Sequence, residues 1–219
     1  MPKIILMVVF IVIVALLAST CAEAQNCALS GTATWSSQLR DITADCNNRF
    51  PSPDNRVTLE VGTHGDMTLL DEPESRKLEL SARRVEAPAM VAWSPTSNAF
   101  FVNDGEGSGM SSIVRLFRLN ANHVLEDESI EKKAVALYRH RAHCHSRATD
   151  PNVWGFGWTP DGRNLFILVQ ATANDPCGWS ESFVTLVVSE TDGAILETLG
   201  KAKSRERFAP LLPPALFGR

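Results

Sequence analysis

The sequence predicts an all-β fold made of repeated four-stranded antiparallel meanders. From Arg56 onward, short runs rich in β-branched and aromatic residues alternate with turn clusters. A spacing of about ten residues between such runs is typical of all-β domains. The first six predicted strands are Val57–Val61, Met67–Leu70, Lys77–Leu80, Met90–Trp93, Ala99–Val102 and Ile113–Phe117.

An internal repeat supports this fold class. The stretch Met90–Val102 aligns with Gly155–Ile167 after one inserted residue, and each copy has a strand, a tryptophan, a turn and a second strand. Further along, Ser112–Leu119 aligns with Ser182–Ser189. A fainter third copy, without the tryptophan, begins at Phe50–Leu59. The offset between copies drifts from 65 to 70 residues, and a repeat of this kind indicates structural units that stack side by side.

The turns define the strands of the last unit. Proline fixes φ and glycine tolerates positive φ, so Thr159-Pro160-Asp161-Gly162 and Thr191-Asp192-Gly193-Ala194 are predicted to reverse the chain. The four strands of this unit are predicted at Trp154–Trp158, Leu165–Gln170, Phe183–Ser189 and Ala194–Leu199.

The segment Trp158–Phe166, and more loosely Trp93–Phe101, resembles the aromatic, Ser/Thr-Pro-Asp-Gly, apolar motif of β-propeller blades, such as those of the periplasmic Tol-system protein and of prolyl peptidases. The resemblance implies a partial or small propeller. A closed propeller has about 4 to 8 blades, whereas this chain has room for about three. We therefore expect an open array whose edges are covered by disulfide-tied segments or by another copy of the chain. A β-sandwich is the alternative fold.

The N-terminus predicts export. Ile4–Ala18 is an uncharged apolar run that follows Lys3, and Ala22-Glu23-Ala24 provides small residues for cleavage, so residues 1–24 are predicted to be a signal peptide. The alternatives are an uncleaved membrane anchor and lipidation at Cys21. The remaining chain divides into a disulfide-tied segment (25–50), a propeller-like β domain (51–200) and a charged, proline-rich C-terminal tail (201–219), with no membrane span after cleavage.

Four cysteines remain after cleavage, which is the even number that a disulfide framework requires. We prefer Cys27 with Cys46 and Cys144 with Cys177, because each pair closes a local loop. The other two connectivities and four unpaired thiols remain open.

Charge excludes some functions and leaves one basic cluster. The net charge of −4 does not favour nucleic-acid binding. The cluster around Arg139, Arg141, His143 and His145 is predicted to be a solvated basic loop or a patch for anions or acidic partners; no metal or other cofactor is expected. The glycine-rich stretch Asn103–Gly109 superficially resembles a calcium loop but fits a loop between strands equally well.

Sequence motifs give no support for catalysis, since neither Gly-x-Ser-x-Gly nor His-Glu-x-x-His occurs. Trp154, Phe156 and Trp158 share a strand parity and are expected in the core, whereas Trp179 is a candidate for binding a sugar or a peptide at the surface. We therefore expect a secreted or periplasmic, non-catalytic module that binds an extracytoplasmic protein or glycan, or a second copy through open sheet edges. The alternative is a hydrolase or lyase that uses surface carboxylates.

Overall fold

The structure, a computed structural model, describes residues 36–80, 84–105, 112–120, 123–141, 150–172, 175 and 183–212. The predicted signal peptide and the candidates Cys27, His143, Cys144, His145, Cys177 and Trp179 lie outside these residues. The described strands are β1 (Arg40–Ile42), β2 (Asn48–Pro51), β3 (Val57–Val61), β4 (Met67–Asp71), β5 (Arg76–Leu80), β6 (Ala89–Trp93), β7 (Ala99–Asp104), β8 (Ile113–Asn120), β9 (His123–Asp127), β10 (Asn152–Trp158), β11 (Asn164–Gln170), β12 (Phe183–Ser189) and β13 (Ile195–Gly200). The described helices are α1 (Ser129–Arg141) and α2 (Lys201–Phe208).

Twelve of these strands form three antiparallel meanders of four strands each, which we name blade 1 (β2–β5), blade 2 (β6–β9) and blade 3 (β10–β13). Blades 1 and 2 are joined into one sheet by a short parallel pairing of β5 with β9, and blade 3 is a separate sheet. The prediction of propeller-like four-stranded meanders is confirmed. The faint third copy is blade 1, whose first strand begins at Asn48, inside the segment expected to precede the β domain.

The first turn of every blade closes in the same way. A serine or threonine at the end of the first strand donates its amide to a carbonyl on the second strand, five residues later. The three bonds are Ser52 N to Val57 O (2.7 Å), Ser94 N to Ala99 O (2.8 Å) and Thr159 N to Asn164 O (2.9 Å). Repetition of this bond pattern shows that the three units are structural equivalents.

The same turns have a positive φ at one equivalent position, occupied by Asn55 (58°), Ser97 (62°) and Gly162 (70°). Neighbouring turns also touch. The amide of Asp54 donates to the Ser97 hydroxyl (3.1 Å), and the Ser94 hydroxyl donates to the Gly162 carbonyl (3.4 Å). The three turns therefore lie side by side along one end of the array.

Blade 2 is buried on both faces. Alternate residues of β7 face in opposite directions, so Phe100 and Val102 pack against blade 1 while Phe101 packs against blade 3. Every residue of β7 is buried. Strands covered on both faces are continuously apolar rather than alternating, as β7 is up to Val102. The three sheets thus stack in series, unlike the two facing sheets of the alternative sandwich.

The N-terminal segment covers the inner edges of two blades. β1 pairs antiparallel with β6 of blade 2. Beside it, the Ser36 hydroxyl donates to Phe156 O (2.9 Å), and the Gln38 side chain accepts from Trp158 N (2.7 Å) and donates to Trp158 O (3.3 Å) in blade 3. This arrangement agrees with the expectation that an N-terminal segment covers open edges.

A helix covers the face of blade 3 that points away from blade 2. Phe208 of α2 lies 4.7 Å from Phe166 and 5.4 Å from Phe156, measured between ring centroids. The Ser204 hydroxyl of α2 is 2.8 Å from that of Thr185. The first part of the segment predicted to be a charged tail is therefore a helix with one apolar side packed on the sheet.

The direction of the β10 side chains differs from the expectation, and the structure of the segment after β9 is now defined. A β-bulge between Gly155 and Gly157 breaks the parity of β10, so Phe156 packs with α2 on one face while Trp158 packs with Phe101 on the other. The segment after β9, which periodicity leaves ambiguous, forms α1, with Tyr138 buried between blades 2 and 3.

Within the described residues, neither helix has the length and hydrophobicity needed to cross a membrane.

Candidate interaction cleft

The basic candidates that the structure describes lie at the end of α1. Arg139 and Arg141 are in the last turn of the helix, where cations stabilise the negative end of the helix dipole. Arg139 pairs with Asp150, and both side chains are about half exposed. An exposed pair of this kind contributes little free energy. The start of the predicted basic loop is thus helical, and these arginines have a structural explanation.

The start of the calcium-like stretch is used for contacts between protein groups. The Asn103 side chain both accepts from Gly155 N and donates to Gly155 O, at 2.7 Å each, and so joins blade 2 to blade 3. Asp104 pairs with Arg115 (3.4 Å). Among the described residues, no group of three or more potential metal ligands is found.

The described tryptophans also have internal contacts. Trp158 is 1% exposed and Trp93 donates its indole N–H to Phe50 O (2.9 Å), which joins blade 2 to the inner edge of blade 1. Trp154 packs partly buried beside the aromatic cluster under α2. These side chains are core elements, as expected for Trp154 and Trp158.

A cleft of about 340 Å³ opens where blade 1, blade 2 and the N-terminal segment meet. This volume is within the usual range of pockets that hold a small ligand or a side chain of a partner. We name it the junction cleft. Its lining is Ile42, Thr43, Ala44, Asp45, Val61, Gly62, Thr63, His64, Gly65, Arg84, Val85, Glu86 and Ala87.

The first wall of the junction cleft is the turn between β3 and β4. Gly62 N donates to Asp66 O (3.0 Å), and Gly65 N donates to Gly62 O (2.9 Å). Gly65 has φ of 82°, and a Cβ placed on it would lie 2.0 Å from the carbonyl oxygen of Val85. Glycine is therefore required here, both for the left-handed backbone and for the close approach of the second wall.

The second wall is the connection from blade 1 to blade 2, and hydrogen bonds to side chains of blade 2 hold it in place. Glu86 N donates to Asp104 Oδ1 (3.2 Å), and Arg115 Nη1 donates to Arg84 O (3.3 Å). Arg115 also forms a two-pronged ion pair with Glu126 (2.7 and 3.1 Å). The guanidinium is 5% exposed, so a buried charge network holds this wall in place.

The third wall is the turn between β1 and β2. The Asn48 side chain accepts from Thr43 N (3.0 Å) and donates to Thr43 O (2.9 Å) and to Cys46 O (3.2 Å). Cys46 is disulfide-bonded, and its partner lies outside the described residues, so the pairing with Cys27 stays a prediction. All three walls of the junction cleft are thus fixed before any partner binds.

Two carboxylates outside the junction cleft illustrate how burial acts on a pKa. Burial by itself raises the pKa of Asp127, but hydrogen bonds from Ser129 and Arg118 outweigh it and lower the pKa overall. Burial raises the pKa of Asp41 in β1. A raised pKa alone does not identify a catalytic carboxylate, so it gives the hydrolase alternative no added support.

Sequence reasoning missed the junction cleft. Its lining residues belong to three separate segments of the sequence, and none of these segments forms a recognisable motif. The only local sign is Gly62-Thr63-His64-Gly65, in which two glycines flank exposed polar residues in a turn. That pattern predicts a turn but does not identify which other segments it meets.

No protein-family model and no curated protein matches this chain. Among solved structures, the chain is similar to the β-propeller domain of Cps50 (Swd1) from Myceliophteria thermophila, with a TM-score of 0.40 and 11% sequence identity. The similarity covers 69% of this chain and 42% of that one. The propeller-like fold is assigned on the sheet topology and the repeated turns of the chain itself.

Proposed function

We propose that this chain is a non-catalytic binding module that holds a protein partner in the junction cleft. The observation that supports this most directly is the pre-formed geometry of the cleft, whose three walls are fixed by hydrogen bonds and buried ion pairs. A site that is rigid before binding loses little conformational entropy when a partner binds.

The exposed lining of the junction cleft is polar, as the rim of a protein interface is. Ile42, Val61 and Val85 are buried at its floor. Exposed polar side chains surround them: Thr43, Asp45, Thr63, His64, Arg84 and Glu86. Side chains of this kind can form the hydrogen bonds that surround the centre of a protein interface.

The lining favours a protein partner over a glycan. The sugar hypothesis depended on an aromatic surface platform, and the described residues that line the junction cleft include no tryptophan, tyrosine or phenylalanine. What this lining offers instead is a set of exposed hydrogen-bonding side chains, among them Thr43, Thr63 and His64, which suit the backbone of a peptide.

The experiment is a selection of peptides against the full chain. A random peptide library on phage is panned against the immobilised protein, and enriched peptides are measured by calorimetry. Thr63 is exposed at the rim, so Thr63→Trp should block the cleft and weaken binding by about tenfold or more without affecting folding. The control Thr191→Trp places the same side chain on an exposed turn of blade 3 and should leave affinity unchanged.

Two results would contradict the proposal. One is a set of peptides that bind wild type, Thr63→Trp and Thr191→Trp equally, which would place their site elsewhere. The other is a selection that enriches no binding peptide.

We also propose that the module acts outside the cytoplasm, on the basis of the predicted signal peptide at residues 1–24. Mass spectrometry of the exported protein should find Gln25 at its N-terminus. An N-terminus that still contains Ile4–Ala18 would instead support the membrane-anchored alternative.

A further inference from the structure

Blade 2 contacts a backbone segment of each neighbouring blade through one arginine of β8. Arg115 donates through Nη1 to Arg84 O (3.3 Å), in the connection from blade 1. Arg118 donates through Nε to Glu190 O, in the turn between β12 and β13 of blade 3. Each guanidinium also pairs with a carboxylate of β9. The two arginines have opposite parity in β8, so they face opposite neighbours, and Arg115 faces the junction cleft.

The orientation of the Arg115 guanidinium is fixed by its surroundings. Nε donates to Glu126 Oε1 (2.7 Å) and Nη2 donates to Glu126 Oε2 (3.1 Å). A two-pronged pair constrains the plane of the guanidinium as well as its distance from the carboxylate. The guanidinium carbon also lies 5.2 Å from the centre of the Phe117 ring. These contacts leave Nη1 directed at the Arg84 carbonyl.

Arg84 links the first and second walls of the junction cleft. Its carbonyl accepts from Arg115, and its own Nε donates to His64 O in the first wall. The next residue, Val85, donates its amide to Gly65 O of the first wall (3.0 Å). A displacement of the Arg84 backbone would therefore change the spacing between these two walls.

On this basis, and on the basis of the proposed function, we infer that Arg115 is a positioning residue for the junction cleft and that Glu126 orients it. Neither residue belongs to the described lining, so the pair acts on a partner only through the second wall. Binding requires that the groups of a site are held close to the geometry that the partner needs. Loss of the Arg115–Glu126 pair should therefore lower affinity although every lining side chain is unchanged.

Two variants test the pair, and a third is the matched control. Arg115→Lys keeps the charge but replaces the planar fork by a single ammonium, which cannot hold Glu126 and Arg84 O in the same geometry. Glu126→Gln keeps the size of the side chain but replaces one accepting oxygen by a donor. Arg118→Lys makes the same change in the arginine that contacts blade 3 and pairs with Asp127 (2.6 Å).

The first measurement needs no partner. Hydrogen exchange of the Val85 and Glu86 amides, followed by NMR in the full chain, reports local opening of the second wall. Arg115→Lys and Glu126→Gln should each raise these exchange rates about tenfold or more, since hydrogen bonds to charged groups contribute more than neutral ones. Arg118→Lys should leave both rates unchanged relative to the amides of blade 1.

The second measurement is the affinity of a selected peptide whose binding Thr63→Trp weakens. Calorimetry should show about three- to tenfold weaker binding to Arg115→Lys and to Glu126→Gln, the factor that corresponds to one net hydrogen bond. Binding to Arg118→Lys should equal binding to the wild type. Urea denaturation of each variant gives the midpoint against which the affinities are compared, because a purely structural role would make affinity follow stability.

The outcomes separate this inference from the proposed function. Wild-type exchange at Val85 and Glu86 in both variants, or equal loss of affinity in Arg115→Lys and Arg118→Lys at equal urea midpoints, would show the inference to be wrong. If Arg115→Lys does not fold, Glu126→Gln decides the same question. If no selected peptide responds to Thr63→Trp, the proposed function fails, and the exchange rates still decide whether Arg115 and Glu126 position the second wall.

Discussion

The two outer blades of the array present opposite kinds of surface. On blade 1, the face that points away from blade 2 is polar, with Arg49 pairing with Glu60 and Glu72 at 3.2 Å each. On blade 3, the corresponding face is aromatic and is covered by α2. The comparison shows two ways to end a stack of sheets. The outer face of blade 1 is polar and exposed to solvent, and the outer face of blade 3 is apolar and buried under a helix.

The difference follows from the strands themselves. β3 of blade 1 presents Thr58 and Glu60 on one face and Leu59 and Val61 on the other. β11 of blade 3 is apolar on both faces from Leu165 to Val169. A strand that is apolar on both faces requires two packing partners, so α2 is part of the core and not an appendage.

The largest expected effect is the loss of Phe208. Phe208→Ala removes the ring that packs on Phe156 and Phe166 and should reduce the free energy of unfolding by about 3–5 kcal/mol. Leu70→Ala, at a half-buried position opposite Thr58 in blade 1, should cost about 1 kcal/mol or less. Urea denaturation measures both. Equal losses would mean that the two outer faces do not differ in the way described.

A second comparison uses two glycines with positive φ. Gly65→Ala in blade 1 would place its Cβ against the backbone carbonyl of Val85, whereas Gly162→Ala in blade 3 would meet side-chain atoms of Ser94 and Thr96. At both positions the left-handed backbone alone should reduce the stability of the alanine variant by about 1–2 kcal/mol. Because a backbone cannot rotate away as a side chain can, Gly65→Ala should be more destabilising by about 1–3 kcal/mol in thermal or urea unfolding. A larger loss at Gly162 would contradict this account of the cleft walls.

The two contacts of blade 2 provide a third comparison. Asn103→Ala leaves the buried N–H and C=O of Gly155 without their partner and should cost about 2–4 kcal/mol. Trp93→Phe removes one indole hydrogen bond to blade 1 and should cost about 1 kcal/mol. The measurement is chemical denaturation, with hydrogen exchange at blade 3 for Asn103→Ala. A cost of Trp93→Phe above that of Asn103→Ala would reverse the expected order.

The smallest effect concerns pH. The hydroxyl of Thr159 and the amide of Arg163 donate to Asp161 and lower its pKa. In blade 1, Ser52 is the main group that lowers the pKa of Asp54. A folded-state pKa below the unfolded value gives stability that is fully present above about pH 4 and is lost as the pH falls through the lowered pKa.

Asp161→Asn and Asp54→Asn should therefore reduce stability at pH 6 and have little effect near pH 2. Blade 2 has Thr96 at this position, so any cost of Thr96→Ala should be the same at both pH values. Unfolding curves at the two pH values test this, and a cost of Asp161→Asn that persists unchanged at pH 2 would contradict the pKa assignment.

Sequence reasoning succeeded where a signal is local. Ten of the eleven described strands from β3 to β13 were predicted within a few residues, because their apolar periodicity and their turns are read over four to eight positions, whereas β9 was given no bounds. It failed at the parity of Trp154, Phe156 and Trp158, because one bulged residue between two glycines reverses the direction of every side chain that follows. It left α1 undecided and did not identify α2, since short amphipathic segments fold according to the surface they pack on.

The amino-acid sequence by itself determined the β content, the repeat and the turn chemistry of this protein, since each depends on the conformational preferences of neighbouring residues. The tertiary structure alone decided that the sheets form an open series, that α2 covers blade 3 and that a cleft forms where three distant segments meet. Such features depend on which surfaces face each other, and that is fixed only when the whole chain packs to bury apolar area and to pair its buried polar groups.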